Sequence, residues 1–183
     1  MEYDISLIQQ TIIFKGLSSF EIKQIFEGCA SLKTFASGEK ITEEGSVNDD
    51  LYFLSKGKVK VELELSHIPH RQINTIEGPI VLGEISFLDK SPRTATIKPV
   101  ENLSIYVING RSLDELLGEM PHTGHKIKHN IAISIAKTVR RMNDMLSGEM
   151  QKNQKLQKKT VELGTQKYNE SIANFAYHIH LSV

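Results

Sequence analysis

Between Leu82 and Thr96 a Gly-Glu pair, Gly83-Glu84, leads into a short apolar run, Ile85-Ser86-Phe87-Leu88, and then into Pro92-Arg93-Thr94-Ala95. These residue types suit an anionic ligand that also carries hydroxyls. A helical turn starting near Gly83 has backbone N–H groups without internal partners, which attract an anion. Gly83 has no Cβ to block close approach. Arg93 adds a permanently charged planar fork matched to phosphate oxygens. A carboxylate beside a phosphate repels it, so Glu84 makes sense facing away and accepting hydrogen bonds from ribose hydroxyls. A sugar phosphate is the economical ligand. The spacing predicts one helical turn, a loop, and a strand leaving from Thr94.

This stretch resembles the phosphate-binding cassette of the cyclic-nucleotide-binding domain family, which includes catabolite activator protein, protein kinase A regulatory subunits and cyclic-nucleotide-gated channels. Gly83, Glu84, Ile85, Pro92, Arg93 and Ala95 meet its pattern of Gly-Glu-aliphatic, a variable stretch, then Pro-Arg-small-Ala. The resemblance implies that Glu84 holds the ribose 2′-hydroxyl and Arg93 the cyclic phosphate, with Ser86 and Thr94 completing the ligand-binding set. Thr94 stands where cAMP binders often carry Ser or Ala. Domains of this family that keep the fold and lose the ligand usually lack the Arg or the Glu, and this chain has both. The implied ligand is cAMP or cGMP, with no metal.

The elements that position these residues follow from periodicity. Asp4 is an N-cap for a short helix over residues 4–14, with Ile5, Ile8 and Ile12 on one face. Ser18 with Glu21 forms a capping box, and Ile22, Ile25, Phe26 and Cys29 follow at helical spacing. On that face Cys29 reads as a small buried hydrophobe rather than a redox sensor. From about 31 to 108 the period changes to short β-prone runs: Leu32–Phe35, Lys40–Glu43, Leu51–Leu54, Val59–Leu65, Gln72–Ile76, Thr94–Lys98 and Leu103–Ile108. Glycines separate them, which predicts an antiparallel roll rather than a parallel sheet. The expected class is α+β, mainly β: a jelly-roll-like antiparallel β-roll with N-terminal helices and a C-terminal lid or long helix. The phrases Phe14-x-Gly16-Leu17-Ser18, Gly38-Glu39-Lys40-Ile41 and Leu51-Tyr52-Phe53-Leu54 also resemble the family's fold, extending the likeness over roughly residues 14–146.

Past the roll, Ser112-Leu113-Asp114-Glu115 reads as a capping box for a helix that stops before Pro121. Ile127, Ile131, Ile135, Val139, Met142 and Leu146 then share one face of a longer helix. Such a stripe packs on a core, and its near-heptad spacing also suits a homodimer seam over 127–146. In the family this helix closes over the nucleotide and carries the signal outward. The expected domain is 1–146, with helices over about 112–146. Residues 147–183 form a polar helical extension or linker, interrupted by Gly148 and Gly164, that regains an amphipathic face at Ile172, Phe175, Ala176 and Ile179.

Rival chemistries find little support. His67-x-x-His70 falls in Ser66–Arg71, which reads as a hairpin loop and lacks the His-x-His and Glu of a cupin centre. His122, His125 and His129 share a helical face but have no obvious fourth ligand, and His178-x-His180 reads as incidental. No nucleophile–base set stands out, so no catalytic residue is assigned. With 183 residues, 39% hydrophobic and 24% charged, the chain holds one domain with a core plus an appendage. Lys+Arg and Asp+Glu both total 22, which suggests no bulk attraction to nucleic acid or an anionic membrane. Cys29 is the sole cysteine, excluding a disulfide framework. Met1-Glu2-Tyr3-Asp4 lacks signal-peptide order, and no apolar run reaches the roughly 20 residues of a membrane helix. The sequence predicts a cytoplasmic cyclic-nucleotide sensor acting on an unknown protein partner. The alternative is the ligand-binding half of a catabolite-activator-type regulator whose DNA-binding domain is absent from this chain.

Overall fold

The computed structural model describes residues 3–65 and 68–180. The expectations for Met1 and Glu2, for His67 and His70, for the Ile172–Ile179 face and for His178 and His180 fall outside the described residues or side chains. Two compact units make up the chain, Met1–Ala136 and Lys137–Val183.

The first unit opens with α1 (Ile5–Gln10), capped by the Asp4 carboxylate, which accepts from the N–H groups of Ser6 and Leu7. The helix stops earlier than residue 14 because Thr11 leaves helical geometry, its hydroxyl donating to the Ile8 carbonyl at 2.7 Å. The turns that follow bury Ile13 and Phe14 instead of Ile12. Helix α2 (Ser19–Cys29) has the expected capping box between Ser18 and Glu21. Its Ile22, Ile25, Phe26 and Cys29 are all buried.

Among the described residues seven strands follow: β1 (Ala30–Phe35), β2 (Leu51–Leu54), β3 (Lys58–Leu65), β4 (Ile68–Glu77), β5 (Ile80–Leu82), β6 (Thr96–Pro99) and β7 (Leu103–Ile108). They form two antiparallel sheets, β1-β7-β2-β5 and β4-β3-β6. β2 shows how the layers stack. Tyr52 and Leu54 join Val59, Ile97, Ile105 and Val107 in a core shared by both sheets. Leu51 and Phe53 join Phe26, Tyr106, Leu113 and Ile127 in a second core between the four-stranded sheet and the helices. A strand covered on both faces reads as a continuous apolar run, and all four β2 residues are buried.

The observed strands differ from the expectations in four places. Lys40–Glu43 contributes only a bridge, Thr42 to Ile97, because a single apolar residue, Ile41, is drawn inward there. β5, three residues between Pro79 and Gly83, was too short to register as a period. β6 begins at Thr96 rather than Thr94, since Arg93 exchanges backbone hydrogen bonds with Gly45 and Ser46 instead of joining a ladder. Ser66–Arg71 is not all loop: Leu65 pairs with Ile68, and β4 already includes Ile68–Arg71.

Helix α3 (Glu84–Asp89) sits inside the cassette, and α4 (Gly110–Glu119) follows β7. Asn109 caps α4, not Ser112. Its Oδ1 accepts from the Ser112 N–H and hydroxyl at 2.9 Å each, while Glu115 pairs with Arg111. Pro121 opens α5 (Pro121–His180), where its missing N–H costs nothing. Ile127 and Ile131 are buried in the helix-side core. In the second unit the residues 137–180 are helical throughout, and Gly148 and Gly164 do not interrupt them. Val139, Met142 and Leu146 there are 49%, 57% and 59% exposed. No described helix is long and apolar enough to cross a membrane.

Candidate functional site

Gly83 joins β5 to α3 with φ 88° and ψ 10°, a left-handed conformation that favours glycine. A Cβ there would lie 2.5 Å from Arg93 Nη1 and 2.8 Å from the Asp50 carbonyl oxygen, so the position also demands glycine for space. The first intrahelical bond of α3 runs from the Phe87 N–H to the Gly83 carbonyl, leaving earlier N–H groups for other acceptors. Burial raises the Glu84 carboxyl above its ordinary value, more than the nearby backbone N–H groups of Glu84 and Gly83 and the Arg93 charge lower it.

Arg93 is only 4% exposed. Its Nη1 donates to the Gly83 carbonyl at 3.2 Å, and its Nη2 to Asn48 Oδ1 at 2.5 Å and to the Asp50 carbonyl at 2.7 Å. Its Cζ lies 5.2 Å from the centroid of the Tyr52 ring, a cation–π distance. The guanidinium Nε is buried and makes no hydrogen bond. An unmet buried donor is costly, so this nitrogen is the one group of the guanidinium without a partner to offset its burial.

A cavity of about 140 Å³ lies beside these groups. Gly83, Glu84, Ile85, Ser86, Arg93, Thr94 and Ala95 line it from the cassette. Pro92, the remaining residue expected at the site, does not line it; it is exposed, and its carbonyl accepts from the buried Ser86 hydroxyl at 3.4 Å. Strand residues that periodicity could not nominate complete the wall: Val61, Ile76, Leu82 and Ile97, with Thr42, whose hydroxyl holds the Ala95 carbonyl at 3.1 Å. In sequence they look like ordinary inward strand positions. The loop 48–50 was missed as well, and only a run of short polar residues, Asn48-Asp49-Asp50, signals it.

That loop also connects the cassette to α4. Asp50 Oδ1 accepts from the Gly110 N–H at 3.0 Å and from Asn109 at 3.2 Å. Lys90, the left-handed C-cap of α3, donates to Asp49 at 2.8 Å and to Asp114 of α4. Burial works against the Lys90 ammonium, but the two carboxylates outweigh it and raise its pKa. His125 and His129 stack with centroids 6.2 Å apart, and among the described residues no group of three or more His, Cys, Asp and Glu is placed to hold a metal.

The fold and the cassette define a ligand-binding domain of known type. Residues 32–120, just under half of the chain, match the family model described as the cyclic nucleotide-binding domain. The chain is 26% identical over 111 residues to the cAMP-dependent protein kinase regulatory subunit of Mucor circinelloides, an alignment covering 61% of this chain and 26% of the relative. It is 35% identical over 101 residues to the cGMP-dependent protein kinase of Toxoplasma gondii, covering 55% of this chain and 10% of that one. Its match therefore spans only a minor part of either relative's length. Among solved structures it is similar to a cyclic nucleotide-binding domain from Methylobacillus flagellatus, with a TM-score of 0.68 at 20% identity, covering 75% of this chain and 80% of the other. That likeness speaks to the fold.

Proposed function

We propose that this chain is a cytoplasmic cAMP sensor that also accepts cGMP. In this reading Arg93 grips the cyclic phosphate, Glu84 accepts from the ribose 2′-hydroxyl, and the helices after the β-roll pass the change to a protein partner. The observation that carries it is the Arg93 guanidinium, buried beside the cavity with its Nε lacking a partner. The relative from Mucor circinelloides is named for cAMP and that from Toxoplasma gondii for cGMP, which supports a cyclic nucleotide without choosing between them. A pocket that admits one singly charged cyclic phosphate would discriminate against 5′-AMP. Calorimetric titration with cAMP, cGMP and 5′-AMP tests this. Both cyclic nucleotides should bind, and Arg93→Ala should weaken cAMP by at least about 100-fold, since charge-assisted hydrogen bonds contribute roughly 1.5–3 kcal/mol each. Unchanged affinity in a folded Arg93→Ala protein overturns the assignment.

A second copy of the chain is the partner favoured for the 127–146 stripe. Ile127 and Ile131 are already buried within the first unit, so the seam would use Val139, Met142 and Leu146, all exposed. The full chain should sediment as a dimer, and Met142→Glu with Leu146→Glu as a monomer. Monomers in both cases remove the seam.

A further inference from the structure

We propose that Asn48 is a stand-in for the ligand: its side-chain oxygen occupies the edge of Arg93 that the cyclic phosphate takes, and binding displaces it. The inference rests on Arg93 as the phosphate anchor.

Arginine offers five N–H donors in a fixed fork, and its two-pronged grip on an oxyanion uses two parallel N–H groups. On the side edge of the guanidinium these are Nε–H and one hydrogen of Nη2. Here Nε is buried without a partner, while Nη2 has both hydrogens engaged, one by Asn48 Oδ1 at 2.5 Å and one by the Asp50 carbonyl at 2.7 Å. Half of the gripping edge is therefore unpaired and half is taken. A phosphate that uses Nε must win an Nη2 hydrogen from one of those two oxygens.

The two are not equally free to leave. The Asp50 oxygen is main chain, directly before β2, and the Asp50 carboxylate is tied to Asn109 and Gly110 at the start of α4. Asn48 is an exposed side chain. Its oxygen also accepts from the Asp50 N–H at 2.8 Å, a local bond of the kind short polar side chains make in turns. Asn48 can thus release Arg93 and keep a partner. Such a placeholder satisfies a buried charge in the free protein and lowers ligand affinity by what its own hydrogen bond contributes.

The test is calorimetric titration of the 183-residue chain with cAMP, comparing wild type with Asn48→Ala, Asn48→Ser, Asn48→Asp and Arg93→Ala. Asn48→Ala should bind cAMP about tenfold more tightly, the effect of removing one competing hydrogen bond to a charged group. Serine keeps a short acceptor for the Asp50 N–H but does not reach Arg93, so Asn48→Ser should also tighten binding, even if the loop needs that local bond. Asn48→Asp should weaken binding about tenfold or more, because a carboxylate holds the guanidinium harder and repels the phosphate. A purely structural role for Asn48 predicts instead that all three variants bind equally or more weakly, and that result overturns the proposal. If wild type binds and Arg93→Ala does not, that failure is confined to Asn48. If Arg93→Ala binds like wild type, the anchor assignment falls and the Asn48 proposal falls with it.

Discussion

Among the described residues of the first unit two charged side chains are buried, Glu21 and Arg93, at 9% and 4% exposure, and they are treated in opposite ways. Around Glu21 every carboxylate oxygen is met. Oε1 accepts from the Thr123 hydroxyl at 2.6 Å and Lys126 at 3.1 Å, and Oε2 from the Ser18 N–H at 2.7 Å and the Ser18 hydroxyl at 2.9 Å. These contacts tie α2 to the start of α5, and all of them come from the chain itself. Around Arg93 three carbonyl-type oxygens serve the terminal nitrogens, and Nε is left with nothing. A buried charge with its set complete holds structure. One whose set is incomplete beside a cavity keeps a donor free, which is what the proposed phosphate anchor requires. Burial alone does not separate the two cases; the state of each hydrogen-bonding atom does.

The largest expected effect that could break this contrast is on stability. Burial would raise the Glu21 carboxyl, but the hydrogen bonds from Thr123, Ser18 and Lys126 overcome it and hold the pKa at about 2, against an ordinary 4.5. A folded-state pKa below the unfolded value contributes stability that is present above about 4.5 and is lost as pH falls toward about 2. The difference is on the order of 3 kcal/mol. Glu21→Ala should lower the urea unfolding free energy at neutral pH by about that much and flatten the acid limb of the stability curve. A cost below about 0.5 kcal/mol, the range of ordinary surface changes, would erase the distinction drawn for Glu21.

Glu84 carries the opposite sign and gives a pH test of the site. Its raised folded pKa, caused by burial, stabilises the fold at pH below the ordinary 4.5, and that stabilisation is lost as pH rises through the raised value. A ribose hydroxyl donating to the carboxylate favours the charged form, so ligand binding should release a proton from Glu84. Affinity for cAMP should then fall as pH is lowered through that raised value. In Glu84→Gln the same titration should be flat, and 2′-deoxy-cAMP should show little of the pH dependence. A wild-type curve as flat as that of the Gln variant separates Glu84 from the ribose.

The parts of this molecule legible in the sequence are those whose signals are local. The Ser18–Glu21 box, the β2 run Leu51–Leu54 and the cassette from Gly83 to Ala95 are each spelled out within a few residues. What was not legible depends on partners far along the chain. Asn48 and Asp50 acquire meaning only because Arg93 lies against them, and Thr42 because it holds the Ala95 carbonyl. Asn109 displaces Ser112 as the α4 cap because β7 delivers its extended backbone directly before the helix, a choice that two capping-type residues within one turn leave open. The β5 segment is three residues long, too few for alternation to show, and is fixed by pairing with β2. Local chemistry names the anchor. Tertiary pairing decides which of its donors remain for a ligand.

The smallest expected effect divides the cassette itself, between the proposed phosphate anchor, Arg93, and a candidate reader of the base, Thr94. Thr94 adjoins Arg93 and lines the cavity, but unlike Arg93 it is exposed. Guanine has an exocyclic 2-amino donor that adenine lacks, and with the purine syn that donor would lie toward the Thr94 hydroxyl. A single neutral hydrogen bond contributes ~0.5–1.5 kcal/mol, about a tenfold preference at most. That is well below the contribution of a two-pronged guanidinium–phosphate contact, so Thr94 should modulate selectivity without deciding whether a cyclic nucleotide binds. Thr94→Ala is expected to lower cGMP affinity by up to about tenfold and to leave cAMP nearly unchanged, read by calorimetric titration with each. Equal losses for both nucleotides would place the Thr94 hydroxyl on the phosphate or ribose, alongside Arg93 and Glu84, and leave the base to be read by the strand residues of the cavity wall.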